Sequence, residues 1–469
     1  MAANLYYNRI VQLNVSETVA PEPNRLQQTA AVVSMGGTTI PSGTTAFISS
    51  AADLDTYAYP HYDISNASWG AGTATLTTTN PHGIPAGQTT QLQVYDCVPA
   101  EYNGLFTATS VSTTQLSYSI ASNPGTMTVF GALETGPQIW LEAFNAEWWA
   151  QGNSNTGYYI YETGTAVTAN VYTSVQTYIN SHPQTIYNWQ FLPGMDSDYA
   201  NGHAFFLANN ALTSLVKFYL PVTSTTYTLW NSSAILRNTF VMLQSPSAIT
   251  AVESTELDVT AFVHYMTAFV PSPTNKLPPS QYTYLNGVTA FEPLTQANIN
   301  NFLAGNINFV ATGAEGGISN TILVPGKNLN GTPANVGYSI DWVQINLNTD
   351  LSAAVINGSN NPEAPLYYNQ DGINFLQQVA VTTANRAISS GLALGRVIVT
   401  ALDGDTFANN VQRGLYAGSF VINAVPFTTY VASQPSDYAN GLYGGFSASY
   451  TPQYGFETIV FNLNVTQFA

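Results

Sequence analysis

The sequence predicts a multi-domain α/β protein: a mixed α+β core carrying an inserted small all-β domain and a β-strand arm at each terminus. Three observations predict this. From about residue 137 onward, apolar patterns of strand period alternate with patterns of helical period, as in an α/β layer. Between about Ile64 and Phe130 the helical patterns stop, and Thr, Gly and Ser become dense. The two ends carry nearly the same phrase, Leu13-Asn14-Val15-Ser16 and Leu463-Asn464-Val465-Thr466, each inside a period-2 alternation. A length of 469 residues fits roughly two to four domains at about 150 residues each. The expected divisions are 1–20 (arm), 21–63 (start of the core), 64–130 (all-β module), 131–270 (α/β domain), 271–454 (C-terminal α/β domain) and 455–469 (arm).

Taken in order, Val11, Leu13 and Val15 alternate with Gln12, Asn14 and Ser16, which places the apolar set on one face of a strand. "APEPN" (20–24) ends it, because two prolines break both helix and ladder. "AAVVSMGG" (30–37) is expected to be a buried strand stopping at glycines. The module supplies short strands at "TATLTT", "TTQLQVYD", "GLFTATSV" and "QLSYSIA", separated by turn signals and leaving no room for a helix. Within it, Asn103-Gly104 is expected to form a hairpin turn.

"PQIWLEAFNAEWWAQG" starts at a proline suited to a first turn, runs through Ile139, Phe144 and Trp148, and ends at glycine, so it predicts a helix. "GYYIYETG" predicts a strand and "AVTANVYTSVQTYINSH" a helix through Val167, Val171, Val175 and Ile179. "YNWQFLPG", "VKFYLPV" and "FVMLQSP" predict strands, with a helix at "HAFFLANNALTSL". "STELDVTAFVHYMTAFV" predicts a helix opened by a capping box of Thr255 and Asp258. After the proline-rich connection 271–284 come a helix at Gln296–Leu303, the strand "NINFVATGA", and a Gly/Asn/Pro-rich loop to about 337. Two long helices, "YSIDWVQINLNTDLSAAVING" and "DGINFLQQVAVTTANRAISSGL", and the strand "GRVIVTAL" complete the body. The closing arm alternates Ile459, Phe461, Leu463 and Val465 with Val460, Asn462, Asn464 and Thr466.

Charged residues make up 7% of the chain, against about 25% in ordinary globular proteins. Its polarity comes from Asn, Gln, Ser, Thr and Tyr, whose burial costs less than burial of a charge. That suits a surface covered by neighbouring molecules. Nine Lys+Arg stand against 26 Asp+Glu, for a net charge of −17. The nine cations are scattered, so the clustered charge needed to displace counterions from phosphates is missing, and direct nucleic-acid binding is not expected. One cysteine, Cys97, supports neither an intrachain disulfide framework nor a multi-cysteine metal site; a free buried thiol is expected. Residues 1–10 lack signal-peptide character and no apolar run approaches ~18 residues, so assembly in a cytoplasm without membrane insertion is expected.

The search for reaction chemistry ends without a constellation, and the expectation is a non-enzyme with no cofactor and no metal. His61, His82, His182, His203 and His264 have no metal-ligand spacing. No Gly-x-Ser-x-Gly elbow and no phosphate loop occurs; "GFSAS" (445–449) lacks the second glycine. Asp403 and Asp405 in "LDGDTF" lack the later oxygen ligands of a calcium loop, so a turn is expected there. Trp148-Trp149 are expected in a core rather than on a sugar ring. Glu142 and Glu147 are expected on a solvated helix face rather than as a glycosidase pair.

"PHGIPAGQTTQLQVYDCVPAEYNGLFTATSVSTTQLSYSI" (81–120) resembles a small β module common in phage structural proteins, through His82-Gly83, Gly87 and Tyr102-Asn103-Gly104-Leu105-Phe106. "LDVTAFVHYMTAF…PPSQYTYLNGVTAF" (257–291), "ANINNFLAGNINFVATG" (297–313), "IDWVQINLNTDLSAAVING" (340–358), "YYNQDGINFLQQVAVTTANRAISSGL" (367–392) and "TIVFNLNVTQF", in this order, resemble the contractile tail sheath proteins of myophages. The family's Arg-Gly-x-Asp-Trp lead into its long helix stands here as Ser339-Ile340-Asp341-Trp342.

The resemblance implies a virion structural subunit that stacks as hexameric rings around an inner tail tube. It implies contraction that drives the tube through the host envelope, with the tube, baseplate and tail terminator proteins and further copies of the chain as partners. It also implies terminal arms that join sheets of neighbouring subunits. The physics agrees: a lone amphipathic strand leaves its backbone row and apolar face unmet, and strand addition satisfies both. An arm ending at Ala20 reaches at most ~70 Å at ~3.5 Å per residue. The residues expected to lie against a partner's sheet are Val11, Leu13, Val15, Ile459, Phe461, Leu463 and Val465. The alternative is another virion or surface structural protein, capsid-like or an adhesin or receptor-binding tail component; a carbohydrate-binding or hydrolytic tail component is the third.

Overall fold

Continuous runs of β-branched and aromatic residues build the centre of the molecule. The computed structural model describes residues 23–58, 61–152, 156–231, 235–244, 258–291, 294–315 and 318–456. It shows a mixed α+β protein of several domains. The strands are β1 (Ala30–Ser34), β2 (Thr45–Ile48), β3 (Tyr62–Gly70), β4 (Thr73–Thr78), β5 (Thr89–Tyr95), β6 (Gly104–Ser112), β7 (Gln115–Ser119), β8 (Ala132–Thr135), β9 (Tyr158–Glu162), β10 (Asn188–Gln190), β11 (Lys217–Val222) and β12 (Thr239–Leu243). They continue as β13 (Phe309–Glu315), β14 (Ile318–Val324), β15 (Val397–Thr400), β16 (Phe420–Ala424) and β17 (Phe446–Tyr450). Longer helices are α1 (Gly136–Ala150), α2 (Thr168–Ser181), α3 (Tyr199–Ala208), α4 (Asp258–Ala268), α5 (Gln296–Ala304), α6 (Ala334–Ser359), α7 (Gln370–Ser389) and α8 (Gly404–Gln412).

A six-stranded sheet in the order β12-β11-β10-β1-β9-β2 forms the main core. All neighbours pair in parallel except β2, which runs antiparallel to β9. Every residue of β1, β11 and β12 is buried, as parallel strands covered on both faces require. Helix α4 packs on β10, β11 and β12 and against α1, while α2 packs on α3. Phe144, Trp148, Tyr158, Phe206, Phe218 and Phe262 join this core; Trp148 is therefore a packing residue, as its helical spacing suggested.

The segment rich in Thr, Gly and Ser closes into an antiparallel barrel, β3-β4-β7-β6-β5-β8, with its own core around Leu76, Leu92, Leu116, Tyr118 and Leu133. Strands β3 and β8, neither of them expected, close it. Thr135 ends β8 and caps α1, and its N–H donates to Gln138 Oε1 at 2.9 Å, so the barrel runs into the core without a linker.

Asn103-Gly104 does not form the expected two-residue hairpin, because residues 96–103 all separate β5 from β6. Instead the Asn103 amide donates to Cys97 O at 3.0 Å and accepts from Cys97 N at 2.9 Å, clamping that longer loop. Cys97 is a free buried thiol, and burial pushes its pKa up.

In the C-terminal half, α6 and α7 pack together, and α7 covers a three-stranded sheet, β15-β16-β17. The Gly/Asn/Pro-rich loop expected to run to about 337 is corrected here: it contains β14, paired with β13 over seven residues. Thr255 of the expected capping box lies outside the described residues.

Candidate functional site: open sheet edges

A strand at a sheet edge presents unpaired N–H and C=O groups that a further strand can meet. The barrel closes on itself and has no such edge. The outer side of β12 is met by Asn308, which accepts from Leu243 N at 2.7 Å and donates to Val241 O at 3.0 Å. The hairpin β13–β14 is flanked on both sides, by Tyr282 N donating to Leu323 O at 2.9 Å and by Phe291 N donating to Val310 O at 2.9 Å. Among the described residues, three strands keep a side without a partner strand: β2, β15 and β17.

The phase of β15 follows from one bond. Phe420 N donates to Arg396 O at 3.0 Å, and Val397 registers with Phe420 in a parallel pair. In a parallel ladder, alternate residues turn both backbone groups to the same neighbour. Arg396, Ile398 and Thr400 therefore face β16, and Val397 and Val399 direct theirs outward. Val399 is 53% exposed, and β15 is β-branched throughout, with no lysine, proline or bulge to blunt it.

On the other side of the sheet, Val425 N donates to Gly445 O at 3.0 Å while Ala424 registers with Phe446. This makes Phe446, Ala448 and Tyr450 the outward-facing residues of β17. Central β16 is buried along its whole length. The Gln377 amide of α7 donates to Thr400 O at 2.9 Å and Ile422 O at 3.2 Å, fixing helix to sheet.

What holds this sheet relative to the main core is a buried charge cluster. Asp341 on α6, whose carboxylate is fully buried, lies 3.4 Å from Lys217 Nζ and 3.2 Å from Arg237 Nη1. Tyr187 OH donates to Asp341 Oδ2 at 2.6 Å. Burial pushes the Lys217 pKa down, against the opposing pull of Asp341, and raises that of Tyr187. Four side chains from the approach to β10, from β11, from the approach to β12 and from α6 thus converge on one carboxylate. Their separation in sequence hid them from any reading of motifs.

Of the expected arm residues, Val11, Leu13, Val15, Ile459, Phe461, Leu463 and Val465 all lie outside the described residues. Asp403 caps α8, accepting from Thr406 N at 2.9 Å. Among the described residues, no group of three or more His, Cys, Asp or Glu is placed to hold a metal ion, and no helix is long and apolar enough to cross a membrane. Glu147 departs from expectation: it is buried, and its carboxylate accepts from the Gln151 amide at 2.5 Å, because its helix face turns toward Gly287 instead of solvent.

No family model matches the chain. No curated protein matches it either. Among solved structures, a sheath tail protein from Listeria innocua aligns over 78% of this chain and 85% of its own, with a TM-score of 0.39 and 11% identity. That degree of similarity specifies neither a shared fold nor a shared role.

Proposed function

We propose that this chain is a structural, non-catalytic subunit of a contractile phage tail sheath. Copies stack as hexameric rings around an inner tube and are joined by strand addition of their terminal arms. The observation that supports this most is the small sheet β15-β16-β17, which has an open edge on each side, while the chain has two amphipathic terminal segments. An arm laid along β15 meets the outward N–H and C=O of Val397 and Val399. Its apolar face, Ile459, Phe461, Leu463 and Val465 or Val11, Leu13 and Val15, covers the half-exposed Val399. Backbone pairing of this kind tethers bodies that move relative to one another, because the joint forms through a flexible chain segment. In this reading the virion tail is where the protein acts, its partners are further copies, the tube, the baseplate and the terminator, and contraction drives the tube through the host envelope.

The test uses Val399→Pro. Proline at 399 removes an outward N–H and leaves the ladder to β16 intact. The expected result is a folded, monomeric protein that no longer forms tubes in negative-stain images, matching a chain cut after residue 456. Normal tubes from both variants overturn strand addition; shells instead of tubes from the unaltered chain overturn the sheath reading.

A further inference from the structure

The six-stranded sheet has a topological switch point that the proposed assembly role does not use. From β1 the chain crosses to β9 on one side, then returns across β1 to β10 on the other, and β11 and β12 follow outward. In open parallel sheets, crossovers that diverge in this way leave a crevice outside the carboxyl ends of the strands, where small molecules bind. Here that crevice is a cavity of about 380 Å³, near the lower end of the ~300–1,000 Å³ usual for small-molecule sites. Its walls come from the strand ends (Met35 after β1, Gly194 after β10, Gln244 after β12), from the start of α1 and α2, and from β5 of the barrel.

The chemistry of the walls selects the ligand. No Asp, Glu, Lys, Arg or His lines the cavity among the described residues. An ion entering it would lose hydration without meeting an opposite charge. The polar groups are amides and hydroxyls, among them Gln91 and Thr168, and the Trp140 indole adds an apolar wall. Gln91 Oε1 is shielded from solvent and has no hydrogen-bond partner. A shielded acceptor lacking a donor is a standing cost, which a ligand hydroxyl removes. Hydroxyl donors on a body with an apolar face describe a sugar. We propose that this crevice binds a neutral saccharide of one or two rings, with Gln91 accepting from a ring hydroxyl and Trp140 packing on the carbon face.

Saturation-transfer NMR and equilibrium dialysis on the full chain test this, with glucose, galactose, N-acetylglucosamine and lactose as probes. Glucuronate, inorganic phosphate and adenosine serve as competitors of other chemistry. The expected result is saturable binding of at least one neutral saccharide. Gln91→Leu weakens it about tenfold, the size of one lost hydrogen bond, and Ala166→Trp, which fills the cavity, abolishes it. Circular dichroism and melting temperature confirm that both variants stay folded; because Gln91 Oε1 has no intramolecular partner, Gln91→Leu leaves that fold in place. Absence of binding by all four sugars overturns the proposal, as does binding that both substitutions leave unchanged or binding confined to the charged probes or the nucleoside. Because the readout is a small ligand on dispersed protein, its failure leaves the assembly reading untouched.

Discussion

Asp341 carries more of this structure than any other single side chain. It is one buried anion serving two cations and a phenol. Removing one member of a buried ionic cluster leaves uncompensated charge in a dry site, at a cost of about 3–5 kcal/mol. Asp341→Asn is therefore expected to lose that much in urea unfolding. The half-exposed pair Arg386–Asp350, 3.0 Å apart, belongs to the other regime, and Asp350→Asn is expected to cost roughly 0–1 kcal/mol. Equal losses in the two variants would show that Asp341 is not the anchor. Asp53 gives a pH signature. Its carboxylate accepts from Ser49 Oγ at 2.6 Å, from Ser49 N at 2.8 Å and from both groups of Ser50. These bonds, that from the Ser49 side chain foremost, hold its pKa at about 2. A depressed folded pKa stabilises above the unfolded value of about 3.9, and that stabilisation is lost as pH falls toward 2. The melting-temperature advantage of the parent over Asp53→Asn is expected to be constant above about pH 5 and to close between about pH 4 and 2; a gap that persists at pH 2 would rule this out.

At the scale of elements, the joint between β15 and β16 rests on a close approach of two glycines. Gly395 has φ +81°, and a Cβ on it would lie 1.8 Å from Gly418 O. Gly395→Ala is expected to cost more than the ~1–3 kcal/mol of an unfavourable φ alone, because the start of β15 must move. Gly414, at φ +71° with no atom within 4 Å of a built Cβ, supplies the control, and its alanine variant is expected to pay for φ only. Hydrogen exchange at Ile398 separates the two, rising in Gly395→Ala and unchanged in Gly414→Ala; equal exchange in both would remove the close approach as the reason.

The same joint shows what was legible beforehand. Strands β1, β11 and β12 were readable because a strand buried on both faces is an unbroken apolar run. Helices α1 and α7 were readable from periodicity and their flanking residues. Strand β3, "YDISNASWG", was not, since its polar content reflects a barrel wall with one face in water. Strand β14, "ISNTILV", read as loop because it follows two glycines, and only its pairing with β13 makes it a strand. Strand β15 was legible as a strand, but its position at an edge depends on the order of the sheet, which no local pattern encodes. The cluster around Asp341 depends on residues 104 positions apart in Arg237 and Asp341.

For the whole molecule, charge decides the conditions under which copies associate. Each copy carries −17, and three of its nine cations, Lys217, Arg237 and Arg386, are already held in ion pairs within the chain. Few cations remain to meet a neighbour's carboxylates, so copies brought together repel. Strand addition supplies attraction through backbone bonds and apolar contact, neither of which salt weakens appreciably. Repulsion between surface charges is screened: the Debye length falls from about 30 Å at 0.01 M to about 10 Å at 0.1 M and about 3 Å at 1 M. Polymerisation is therefore expected to strengthen as sodium chloride rises across that range, read by sedimentation or light scattering at fixed protein concentration. The opposite slope, assembly that dissolves with salt, would mean that ion pairs between copies hold the contacts, and the remaining cations would have to be their source. Val399→Pro separates the two cases, since a polymer held by strand addition stays dispersed in that variant even at 1 M salt, where screening is nearly complete.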